Sequence, residues 1–181
     1  MSSETVSNVV LPEMSSAVVK QGASVSKPWL WYLLAVCLIA LDQWTKTLAS
    51  DGLRYAEPLV LTSFFNLTLL HNPGAAFSFL GDAGGWQHWL FGGVALIVSS
   101  VITVWLYRAP VGAILLKFAL ALILAGALGN LWDRMTLGYV VDFIQLHYKT
   151  YYWPAFNVAD AAISVGACAM IFDSFWSAKR N

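Results

Sequence analysis

GWQHWLFGGVALIVSSVITVWLY, residues Gly85 to Tyr107, contains no Asp, Glu, Lys or Arg. A bilayer core needs roughly 20 apolar residues of helix to cross it, and this stretch is long enough. Three more apolar stretches match it: Trp29 to about Leu48, Val111 to Trp132, and about Ala155 to Trp176. Backbone N–H and C=O groups in lipid must be satisfied within the protein, and a helix does so within one segment. The expected fold is therefore mainly α, a four-transmembrane-helix bundle.

Composition agrees. The 181 residues are 59% hydrophobic and 11% charged, against about 25% charged in a soluble domain. Ten basic residues balance ten acidic ones, and no Lys/Arg cluster suggests nucleic acid. Nine Trp and seven Tyr suit the two lipid–water interfaces. Cys37 and Cys168 lie in apolar runs and read as buried thiols, with neither disulfide nor zinc spacing.

Residues 1–27 read as a mobile cytoplasmic tail, 28–176 as one transmembrane domain, and 177–181 as a second cytoplasmic tail. With the N-terminus inside, Lys20, Lys27, Arg108, Lys179 and Arg180 fall on the inner side. Lys117 snorkels towards that side, and Arg54, Arg134 and Lys149 stay outside. Two outer loops result. In the first, Leu59 to Leu70 is rich in aromatic and branched residues and reads as one or two strands at the membrane surface. Asn72-Pro73-Gly74 then makes a turn, with Gly74 free to take positive φ. The second outer loop, Asp133 to Pro154, reads as a short interfacial segment. A small β-rich region should thus sit outside the bundle.

This topology brings polar residues from distant segments to one layer, the outer third of the membrane: Asp42 and Lys46, then Asn130, Asp133 and Arg134, then Asp142, then Asn157 and Asp160. A charge within a span costs a few kcal/mol and by default marks function. Structural readings stand beside the functional one. Asp42 and Lys46, four apart on one helical face, fit an ion pair. Asp133 is neutralised by adjacent Arg134, caps a helix end, or is a partner for Asp160. Asp142 and Asp160 have apolar neighbours and no adjacent base, so ionisation is disfavoured and their pKa values should rise. Brought together, one would activate a water while the other, protonated, polarises a carbonyl. No Gly-x-Ser-x-Gly or His-Glu-x-x-His occurs, and His71, His88 and His147 are scattered. A proton-coupled transporter is the alternative, but its relay would spread acids through the membrane depth. Here only Asp173 lies near the opposite face.

Asp42-Gln43-Trp44-Thr45-Lys46, His71-Asn72-Pro73-Gly74-Ala75-Ala76-Phe77, Gly129-Asn130-Leu131-Trp132-Asp133-Arg134, Val140-Val141-Asp142-Phe143 and Phe156-Asn157-Val158-Ala159-Asp160 resemble, in order, the motifs of the lipoprotein signal peptidase (signal peptidase II) family. The resemblance spans roughly Trp29 to Trp176. It implies an aspartic endopeptidase of the bacterial inner membrane, with both termini cytoplasmic and the active site near the periplasmic side. Such an enzyme removes the signal peptide of a prolipoprotein just before a diacylglyceryl-modified cysteine. Carried onto this chain, Asp142 and Asp160 would be catalytic, while Asn72, Gly74, Asn130, Asp133, Arg134 and Asn157 would line or support the site, organised by Asp42 and Lys46. The family implies no metal or cofactor, contact with membrane lipids, and inhibition by globomycin.

Overall fold

The computed structural model describes residues 28–74 and 86–178. The N-terminal tail, Ala75 to Phe77, the start of the second span at Gly85, and the inner-side Lys20, Lys27, Lys179 and Arg180 lie outside the described residues.

Four helices carry the apolar stretches: α1 (Trp29–Gly52), α2 (Gln87–Arg108), α3 (Ile114–Thr136) and α4 (Val158–Ala178). Each is long and apolar enough to cross a membrane, so the chain is a multi-pass membrane protein. α3 is the hub, in contact with each of the other three. In its most apolar window 61% is buried, against 22%, 22% and 17% for α1, α2 and α4. The reason is composition. Between hydrocarbon-bathed helices no hydrophobic drive remains, and small residues that let backbones approach take its place. α3 buries Ala119, Ala121, Ala125, Gly126, Ala127 and Gly129. A Cβ on Gly126 would collide with the Ala159 carbonyl, and one on Gly166 would lie 2.8 Å from the Ala119 carbonyl. α3 and α4 therefore meet at backbone distance. The outward faces keep large apolar side chains such as Ile97, Val101, Phe172 and Phe175 exposed, as lipid contact requires.

Helix ends depart from the hydropathy pattern: α1 runs on to Gly52 and α3 starts at Ile114, and two other ends have a local cause. Asp133 and Arg134 end the apolar run of α3 but not the helix, which continues to Thr136 because both side chains find partners. It stops at Gly138, whose φ of +82° suits a left-handed C-terminal cap. α4 begins at Val158, not Ala155, because Asn157 caps it.

The α1–α2 and α3–α4 connections form one antiparallel sheet, in the order β1 (Leu59–Val60), β2 (Phe65–Asn72), β3 (Val140–Tyr148), β4 (Tyr151–Tyr152). The strands expected in the first loop are present. The second connection, expected as a short interfacial segment, carries nine residues in β3, which pairs along β2 from Phe65↔Leu146 to Asn72↔Val140. The register slips between Leu67 and Leu70, a bulge that leaves Leu70 opposite Asp142. Lys117 is buried in the first turn of α3.

Candidate active site

The polar residues of α1, α3, β3 and α4 form two adjoining clusters. In the first, Lys46 Nζ lies 2.8 Å from Asp42 Oδ2 and 2.9 Å from Asp133 Oδ2, and donates to Asn130 Oδ1 at 3.0 Å. All three ionic side chains are at most 4% exposed. The remaining carboxylate oxygens are also engaged. Asp42 Oδ1 accepts from the Ala159 amide at 2.8 Å, and Asp133 accepts from Gln43 Nε2 at 2.8 Å and the Val141 amide at 3.1 Å. Gly129 makes room for this cluster, since a Cβ there would sit 2.8 Å from Asp42 Oδ2. The Asp42–Lys46 pair expected from spacing is present. The partner of Asp133 is Lys46, not adjacent Arg134, because successive helical residues point in different directions.

The second cluster is built on the start of α4. Asn157 Oδ1 accepts from the Asp160 amide at 2.9 Å, and Asp160 Oδ2 accepts from the Asn157 amide at 3.3 Å. This reciprocal arrangement is a capping box, and it holds Asp160 in the first turn of α4, where the helix dipole favours a negative charge. Asn130 Nδ2 donates to Asp160 Oδ1 at 2.7 Å. Asn157 Nδ2 donates to Asp142 Oδ1 at 2.7 Å, and Asn72 Nδ2 to Asp142 Oδ2 at 3.1 Å. One residue, Asn157, thus bonds to both aspartates. Asn72 also accepts from the Gly74 amide at 3.0 Å, so the turn after β2 is held by this Asx bond.

Burial, and next the charge of Asp160, push the Asp142 carboxyl up to about 7, against the donors Asn72 and Asn157 and the charge of Lys46. The upward shift expected for Asp142 is therefore present. Arg134 donates to the Asn130 carbonyl at 3.2 Å and the Gly74 carbonyl at 2.9 Å, and its guanidinium stands 5.7 Å from the centre of the Phe91 ring.

Asp142 and Asp160 line a cleft of about 1040 Å³, together with Asn72, Asn130 and Arg134. Its lining includes Ala161, Ser164 and Val165 on α4, here called the α4 arm, and the aromatic residues Tyr152, Trp153 and Phe156. Asp42, Lys46 and Asp133 do not line it. His71 does, stacked on Tyr139 with ring centres 4.1 Å apart and tilted against Tyr55 at 4.9 Å, and burial lowers its pKa. Among the described residues no cluster of His, Cys, Asp and Glu could hold a metal.

Sequence reasoning assigned no role to Gln43, His71 or Phe91. Gln43 stands inside a quoted motif, but its link to Asp133 crosses between helices and leaves no mark in local spacing. The same holds for the Ala159 and Val141 amides, since backbone donors carry no residue-type signal.

Fold and site together define a class: a multi-pass membrane enzyme with a carboxylate-lined cleft at one end of its spans. Residues 34–176 match the family described as Signal peptidase (SPase) II. A lipoprotein signal peptidase of Acinetobacter baylyi is 56% identical over 152 residues, covering 84% of this chain and 85% of the relative. That of Pseudomonas aeruginosa is 50% identical over 156 residues, covering 85% and 91%. A bacterial membrane enzyme solved by the in meso method superposes with a TM-score of 0.77 at 28% identity, covering 86% of this chain and 93% of that one. The chain belongs to the signal peptidase II family and is a membrane protease; the transporter alternative falls.

Proposed function

We propose that Asp142 and Asp160 are the catalytic pair of this peptidase, and that it releases the signal peptide of prolipoproteins by cutting before a diacylglyceryl-modified cysteine. The observation that carries the reading is the division of donors. Every oxygen of Asp42 and Asp133 is engaged by Lys46, Gln43 or a backbone amide away from the cleft, whereas Asp142 and Asp160 line it and are held by neutral amides. Two carboxyls joined through Asn157, one raised to about 7, suit a single shared proton.

The ionised member takes a proton from a water molecule, whose oxygen attacks the scissile carbonyl carbon. The protonated member gives its proton to the carbonyl oxygen. Collapse of the tetrahedral intermediate breaks the C–N bond, and the departing amine takes a proton from the pair. Asn72, Asn130 and Asn157 keep the carboxylates oriented, and Arg134 ties the Asn130 carbonyl to that of Gly74 beside them; Asp42, Lys46 and Asp133 brace the ends of α1, α3 and α4.

The substrate's apolar stretch lies along the α4 arm while its acyl chains remain in membrane lipid. Residues 28–176 act as one domain, with the cleft at the periplasmic side of a bacterial inner membrane and both termini cytoplasmic; Arg108 on the inner side supports this orientation. The test is purified protein with a diacylglyceryl-modified prolipoprotein, with and without globomycin. Cleavage should be blocked by globomycin and abolished by Asp142→Asn and by Asp160→Asn. Near-normal cleavage by either variant sinks the pair.

A further inference from the structure

The α4 arm of the cleft carries one feature that the hydrolysis does not use. A helical serine or threonine in an apolar setting usually returns its hydroxyl to the carbonyl four residues back. Ser100, Thr103 and Ser174 do so, onto Leu96, Ser99 and Met170 at 2.8, 2.7 and 3.0 Å. Ser164 does not. It is exposed, lines the cleft and carries no hydrogen bond to any of the described residues. Ser99 also lacks a partner, but it is buried within the bundle away from the cleft.

Ser164 follows Asp160 by four residues, so the two share a helical face, about 6 Å apart along the axis and with Ser164 nearer the helix centre. An extended chain covers about 3.3 Å per residue. A substrate lying extended along α4, with its scissile bond at Asp160, brings the peptide group about two residues before the cut opposite Ser164. The requirement is physical. Extending the chain for hydrolysis strips its N–H and C=O groups of helical partners, and in hydrocarbon each unsatisfied group costs several kcal/mol. The rest of this arm, Ala161, Ile163 and Val165, offers only apolar side chains.

Building on the catalytic assignment above, we infer that Ser164 is a substrate-positioning residue whose hydroxyl hydrogen-bonds the backbone of the signal peptide about two residues before the scissile bond.

The test compares Ser164→Ala, Ser164→Thr and the control Ser174→Ala with wild type, using a diacylglyceryl-modified prolipoprotein peptide in detergent micelles. Ser164→Ala should lose about tenfold in kcat/KM, the worth of one hydrogen bond in an apolar site. Ser164→Thr should keep most of the activity, Ser174→Ala all of it, and melting temperatures should be unchanged. A second substrate, with a backbone ester replacing the amide two residues before the cut, should shrink the penalty of Ser164→Ala. Equal activity of Ser164→Ala and wild type overturns the inference, as does an equal loss in Ser164→Thr or a penalty unchanged by the ester. Asp160→Asn runs in parallel. If it still cleaves, the catalytic assignment itself fails; if it is inactive while Ser164→Ala is normal, only the role of Ser164 falls.

Discussion

Asp42 and Asp133 share Lys46 and accept from two backbone amides and Gln43, out of reach of the cleft. Asp142 and Asp160, at the same end of the bundle, have among the described residues only asparagine side chains and the Asn157 backbone amide as donors, and they face the cleft. On the proposed assignment, residue type and depth do not decide whether a carboxylate is a brace or a reagent. The partners decide. A carboxylate paired with a buried ammonium and saturated with donors has no lone pair to spare for a proton. One held by neutral amides keeps its place yet can still exchange a proton at moderate cost.

The largest effects should break this contrast outright. Asp160→Asn should lower kcat about a thousandfold or more, in the range of lost acid–base catalysis, with melting little changed. Asp133→Asn should show the reverse, a lower melting temperature with far less loss of turnover in the folded fraction. Equal catalytic loss in both would erase the division. Next is the ammonium that separates the clusters. Lys46→Met strands two buried carboxylates, and removing one partner of a buried pair costs about 3–5 kcal/mol, readable as a shift in denaturation in detergent. Gly129→Ala is milder. Its Cβ would press on Asp42 Oδ2, and overpacking of this kind costs about 1–3 kcal/mol; Gly93→Ala, with nothing within 4 Å, should be neutral by the same measurement.

The subtlest prediction concerns pH. With the Asp142 carboxyl at about 7, the pair loses its shared proton as pH rises through that value, so kcat/KM should fall on the alkaline side. Asn72 favours the charged form of Asp142, so Asn72→Ala should move that limb to higher pH. The carboxyl is raised from 3.8, so between about 4 and about 7 the folded protein binds more protons than the unfolded chain. Stability should then decline as pH rises through that window, a slope that Asp142→Asn should flatten in denaturation measured across pH.

Much of the site was legible in the sequence for particular reasons. Asp42 and Lys46 sit four apart, a spacing that local helical geometry resolves. Asn157 and Asp160 sit three apart, the spacing of a capping box. Asp133 was misread towards Arg134 because adjacency in sequence is not adjacency on a helix. The nine residues of β3 looked like loop because their partner strand lies some 70 residues away, and pairing across such a distance leaves little local pattern.

By itself the sequence determined the four spans, the polar layer at one end and the identity of its members, because hydrophobic length and depth are properties of a single segment in its solvent. Only the tertiary structure decided that α3 is the hub, that β2 and β3 join, and that Lys46 serves Asp42 and Asp133 while Asn157 bonds to both Asp142 and Asp160. Those outcomes depend on which backbones glycine allows to touch and which donors then come within about 3 Å, and that is a property of several segments at once.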